Sequence, residues 1–264
     1  MEESNGNIDT WKYWIMVGWM DLIKKSMDYG QTIPEHLVQE GYEEYVRKLE
    51  VFKIKELKTL TGVKPNLNPA AVQEAYKQML KSGKHPMLAK ELKDQSGIKP
   101  ELDEDLVQKC FEAYVMTANY ADVECMISLI GKKPDVPEEV VQKGYNMAIA
   151  LGSPLSVYRL KGIFKVEPVF DEKSVQEGYK SCVKYKTLNA FSHIQIATKI
   201  KASKHTIKKA YEEWLDKGYL SYCKTLKELT GELPPQEGLE KAKKKFAQFG
   251  WESYAEQLKE LAES

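Results

Sequence analysis

The sequence predicts an all-α fold: an α-solenoid of about seven full two-helix repeats behind a degenerate N-terminal hairpin. Three observations predict it. A phrase of the form Val-Gln-x-small-aromatic begins at Val38, Val72, Val107, Val141 and Val175, at spacings of 34, 35, 34 and 34 residues, with weaker copies at Ile207 and Leu239. A second phrase follows at a constant 19 residues, or 20 in the unit at Val72, as in "LKTLTGVKP" (57–65), "LKDQSGIKP" (92–100) and "LKELTGELP" (226–234). Within each unit small and apolar residues recur at helical, not strand, spacing. A fixed period of this length is the mark of stacked helical hairpins.

Residues 1–33 form the first, degenerate element: counting back one period from Leu57 lands on Ile23, and the segment carries Trp11, Trp14 and Trp19. A terminal hairpin has one face without a neighbour, so these rings either seal the end of the core or stand out as an anchor for a partner. Residues 34–264 hold the repeats, with no linker or low-complexity stretch to divide them, and the whole of 1–264 reads as one domain.

In each repeat the first helix carries the phrase valine, from which positions are counted. Positions 0, +3, +4, +7 and +8 make one stripe: Val38, Gly41, Tyr42, Tyr45 and Val46 in one unit, Ile207, Ala210, Tyr211, Trp214 and Leu215 in another. The small residue at +3, often Gly despite its poor helix propensity, suits a close approach of two helices. The second helix ends in the second phrase. There Leu57 and Leu60 face inward, Gly62 suits a left-handed residue past the last turn, and Pro65 stops the helix. Asn68, Asp103, Glu138 and Asp171 then serve as caps or first-turn acids for the next first helix.

Composition narrows the function. Lys plus Arg equals Asp plus Glu at 39 each, so no net field draws nucleic acid or anionic lipid. Cys110, Cys125, Cys182 and Cys223 form no close-spaced pair and read as small core residues of a reducing compartment. The N-terminus "MEESNGNID" is acidic where a secretory signal is basic, and "WIMVGWMDLI" is too short to span a bilayer. The expectation is a soluble, cytoplasmic protein.

The helical hairpin of about 34 residues ending in Pro resembles the tetratricopeptide class, and the Gly-x-x-Pro at the unit end is similar to that of pentatricopeptide repeats. The resemblance lies in period and layout and spans nearly the whole chain. The tetratricopeptide consensus itself is absent: here Gly and Tyr are adjacent, as in Gly144–Tyr145. The resemblance implies a binding role, without any base-reading code.

Two sets of residues are candidates for that role. The recurrent Gln39, Gln73, Gln108, Gln142 and Gln176 sit at +1, on the border of the buried stripe. They form either a structural ladder bonding a neighbouring repeat's backbone or a binding ladder, and the border position favours the first. The positions that vary, +2, +5, +6 and +9, lie on the solvent face. In the unit at Val38 they are Glu40, Glu43, Glu44 and Arg47. In the units at Val107 and Val141 the +6 and +9 places become Ala113, Met116, Met147 and Ala150, with Asn146 beside them at +5. Met side chains adapt to varied partners, so these residues are expected to form an apolar saddle for a partner's helix or extended peptide.

The lysine-rich stretches 199–210 and 241–245 could meet phosphates, yet Arg occurs only at 47 and 159, and Glu212, Glu213, Glu228 and Glu232 lie nearby; a solvated face accounts for them. His36, His85, His193 and His205 fall at unrelated repeat positions with no metal spacing, and no Gly-rich phosphate loop is present. No enzyme chemistry, metal or cofactor is therefore expected. The expected function is a non-enzymatic adaptor or scaffold that binds a protein or peptide on the surface of its first helices; the alternative is RNA binding within a ribonucleoprotein.

Overall fold

A computed structural model of the protein describes residues 5–82 and 86–263, the side chains of residues 5–7 and 252 excepted. Among these residues there are sixteen α-helices and no strand. They follow in pairs: α1 (Asn5–Val17) and α2 (Met20–Asp28), α3 (Glu35–Arg47) and α4 (Val51–Thr61), α5 (Pro69–Lys81) and α6 (Pro86–Ser96), α7 (Glu104–Met116) and α8 (Tyr120–Ile130). Then come α9 (Glu138–Ala150) and α10 (Pro154–Phe164), α11 (Glu172–Tyr185) and α12 (Leu188–Thr198), α13 (Lys204–Asp216) and α14 (Leu220–Thr230), α15 (Gln236–Gln248) and α16 (Glu252–Ala262). The odd-numbered helices from α3 onward carry the Val-Gln phrase or its weaker copies, and the even-numbered ones carry the second phrase.

The chain divides into two compact units: residues 1–114 with 119–136, and residues 115–118 with 137–264. In the first, α3 packs between α1 and α5, while α4 packs on α2 and α6, and α6 on α8. In the second, α11 lies between α9 and α13, and α13 meets α15; the row α10, α12, α14, α16 packs in the same order. Each unit is thus layered, with first helices touching first helices and second helices touching second.

The stripe read from sequence is the core. Val38, Gly41, Tyr42, Tyr45 and Val46 are all buried, as are Ile207, Ala210, Tyr211, Trp214 and Leu215. Of the second-helix pair, Leu57 is fully enclosed but Leu60 is only half-buried. The reason is angular: Leu57 shares its face with Ile54, whereas Leu60 sits at the edge of that face. Cys110, Cys182 and Cys223 are buried and Cys125 half-buried, all as free thiols.

The helix ends are built from local chemistry. Gly62, Gly97, Gly131 and Gly231 take φ of +71° to +78° directly after their helices. Lys165 and Lys199 hold the same place in two hairpins at +60° and +58°, a conformation that disfavours a side chain. Asn68 accepts from the amides of Ala70 and Ala71, Asp103 from Asp105, and Asp171 from Ser174. Glu138 is a first-turn acid behind Pro137. Ser203 caps α13 through Thr206 N, a cap that the acidic pattern did not reveal.

Gly178 shows why a small residue occupies +3. A Cβ built there would lie 2.2 Å from the backbone oxygen of Ile149 on α9. Backbone cannot rotate aside as a side chain can, so Gly178→Ala is expected to cost about 2 kcal/mol in urea unfolding. Gly162, inside α10, has no atom within 4 Å of the added carbon. Gly162→Ala should raise stability by roughly 0.5–1 kcal/mol, so the two substitutions should move the unfolding midpoint in opposite directions.

Candidate functional site

The recurrent glutamines reach the loop that leaves their own hairpin. Gln39 on α3 donates from Nε2 to the carbonyl of Lys64 (2.8 Å) and accepts at Oε1 from the amide of Asn66 (2.9 Å). Gln73 does the same to Lys99 and Glu101, both at 2.8 Å, and Gln176 to Lys201 and Ser203, both at 2.8 Å. Gln142 binds Glu167 (2.6 Å) and Val169 (2.9 Å). Gln108 donates to Asp135 (3.0 Å) and to Glu112 Oε1 (2.8 Å). A side-chain amide presents a donor and an acceptor side by side, and it pairs here with a peptide strand as another backbone would.

The tyrosine at +4 holds the residue just before. Tyr42 donates to Val63, Tyr76 to Ile98, Tyr145 to Val166, Tyr179 to Ile200 and Tyr211 to Glu232, at 2.6–2.9 Å. Phe111 takes this place on α7, and Lys208 replaces the glutamine on α13. Gln and Tyr together thus clamp three residues within a stretch of four in four of the exit loops. In two further hairpins one half of the clamp remains.

Two more recurrent contacts finish the frame. Thr61, Thr198 and Thr230 turn their hydroxyls to the carbonyls of Leu57, Ile194 and Leu226 while accepting from Val63, Ile200 and Glu232 N. Lys93 Nζ donates to the carbonyls of Ser128 (3.2 Å) and Leu129 (3.0 Å), and Lys227 to those of Glu260 (3.2 Å) and Leu261 (3.3 Å). In each case a second helix caps the end of the next one.

With those side chains engaged inside the fold, the outward positions of the first helices remain. Met116 and Met147 are 40% and 43% exposed, Ala113 is exposed, and Asn146 and Ala150 are half-buried. Asn146 accepts from the amide of Asp171 (3.1 Å), so its side chain also braces an exit loop. The tryptophans of α1 and its turn divide: Trp11 is buried at 1% exposure, whereas Trp19 is 45% exposed with Tyr13 edge-on at 5.3 Å. Core sealing and an outward aromatic pair coexist in this hairpin.

Shallow grooves run between adjacent first helices within each unit. Glu43, Arg47 and Glu74 border one of about 270 Å³ between α3 and α5. Glu212, Asp216, Glu237 and Lys241 border one of about 290 Å³ between α13 and α15. A third, of about 350 Å³ between α11 and α13, is bordered by Lys180, Lys184, His205 and Lys209.

Among the described residues no group of three or more His, Cys, Asp or Glu could hold a metal ion, and no helix is long and apolar enough to cross a membrane. His85 lies outside the described residues. Burial pushes the thiols of Cys110, Cys125 and Cys182 up and that of Cys223 to about 12, which disfavours the thiolate at each. In comparisons with known proteins, no family model, no curated protein and no solved structure matches the chain.

Removing a clamp tests its role. Gln176→Ala removes two hydrogen bonds to the loop and should cost about 1 kcal/mol, and Tyr179→Phe about 1 kcal/mol, both read from urea unfolding. Burial raises the phenols of Tyr76, Tyr145 and Tyr179 from 10.0 to about 12. The unfolded chain therefore releases these protons first as pH rises, so the tyrosines' contribution is intact below pH 10 and is lost between about 10 and 12. The thermal midpoint should fall across that window, and by less in Tyr179→Phe.

Proposed function

We propose that the hairpins form an α-solenoid of two-helix repeats and that the chain is a non-enzymatic adaptor. It binds a protein or peptide partner on the outward face of the first helices. One observation carries the reading: the Gln and Tyr side chains that recur from hairpin to hairpin are engaged in holding loops, whereas the outward positions +5, +6 and +9 vary among the hairpins. A frame that repeats beneath a surface that varies suits recognition by many shallow contacts held in register, where rigidity limits the entropy lost on binding.

Met116 and Met147 are the anchors of this surface. Each is a large apolar side chain left in water on a helix whose opposite stripe is buried, and a flexible thioether can mould to a partner's helix or extended strand. Even charge balance and the scarcity of Arg weigh against RNA as the ligand.

The test is affinity capture from the native lysate with nuclease present. The wild type should retain a protein partner. Met116→Glu combined with Met147→Glu should lose it, by tenfold or more, with the thermal midpoint unchanged. Retention of the partner by the double variant overturns the reading, as does material that appears only without nuclease.

A further inference from the structure

The three grooves between first helices have the same construction and opposite electrostatics. Glutamates dominate the border of the α3–α5 groove, and three carboxylates with one lysine border the α13–α15 groove. In the α11–α13 groove Lys180, Lys184, His205 and Lys209 face a single acid, Glu213. That acid is already engaged by Lys217 at 2.7 Å, and Lys180 has Glu177 at 2.6 Å. Among the described residues Lys184 and Lys209 have no carboxylate within ion-pair distance. Packing does not ask for cations here, since equivalent grooves are built with acids in the same setting.

We propose that the α11–α13 groove binds an acidic, extended peptide segment of a partner protein, with carboxylates meeting Lys184 and Lys209 and an apolar side chain resting on Val183. The inference builds on the adaptor reading and names the chemistry of one partner segment. Val183 and Thr206 are buried and line the groove together with the lysines, Val183 supplying its apolar contact. A volume of about 350 Å³ accommodates a few residues of chain, not a folded surface. A nucleic-acid backbone fits less well. No arginine, the side chain best shaped to hold a phosphate through two hydrogen bonds, lines the groove.

The probes are a fluorescent ten-residue peptide of Asp, Glu and Leu, its Asn/Gln/Leu counterpart, and decauridylate, each titrated into the full chain. The acidic peptide should bind, more weakly as salt rises, and Lys184→Glu with Lys209→Glu should weaken it about tenfold or more. Lys184→Gln with Lys209→Gln should give a smaller loss with an unchanged thermal midpoint, and Lys241→Glu in the α13–α15 groove should change affinity less than twofold. Equal binding by wild type and the Lys184/Lys209 reversal, or equal binding of the uncharged peptide, overturns the proposal. Tighter, reversal-sensitive binding of decauridylate overturns it in favour of RNA. Either failure leaves the Met116/Met147 capture result standing, so the two ideas fall separately.

Discussion

The loop leaving each second helix has no helix or sheet in which to place its peptide groups, and partly buried carbonyls and amides cannot be left unpaired. The first helix of the same hairpin answers this with two side chains one turn apart. Tyr179 takes the carbonyl of Ile200, and Gln176 takes the next carbonyl and the amide two residues on. Three bonds fix where the loop runs, and so fix where the following helix begins. Ser203, whose amide is held by Gln176, is itself the cap of α13. Loop position and helix start are one structural decision.

That constraint explains the repeated phrase as a set of separate physical demands. Valine fills the interior, Gln and Tyr hold the exit loop, and the small residue between them admits the neighbouring helix. Where one demand is met otherwise, the phrase drifts. Phe111 keeps the ring and gives up the hydroxyl, and Lys208 abandons the amide while Tyr211 retains its bond to Glu232. Cys110 keeps the small size of +3 on α7, with Sγ 3.6 Å from the carbonyl of Leu80.

Much of the helix pattern was legible in the sequence because it depends on local rules. The buried stripe follows from a 3.6-residue period, the stop at Gly62 from the left-handed region, and the cap at Asn68 from its side-chain acceptor. What was not legible depends on backbone atoms far along the chain. Nothing in Gln39 says that its partners are Lys64 O and Asn66 N, since any residue can offer those atoms. Asn146, expected at +5 beside the saddle methionines, also braces the loop at Asp171. Lys165 and Lys199 occupy a left-handed position that residue type would have given to glycine. The basic groove draws on two segments about twenty residues apart, so Lys184 and Lys209 become neighbours of one cavity only once α11 and α13 lie side by side.

Because every clamp closes on the loop of its own hairpin, some 25 residues downstream, a hairpin and its exit form a parcel that holds both halves of each clamp. Copying such a parcel copies both halves of each bond together. Gene duplication could therefore lengthen or shorten the chain in whole steps without stranding a glutamine or a loop, while the outward residues of each copy stay free to diverge.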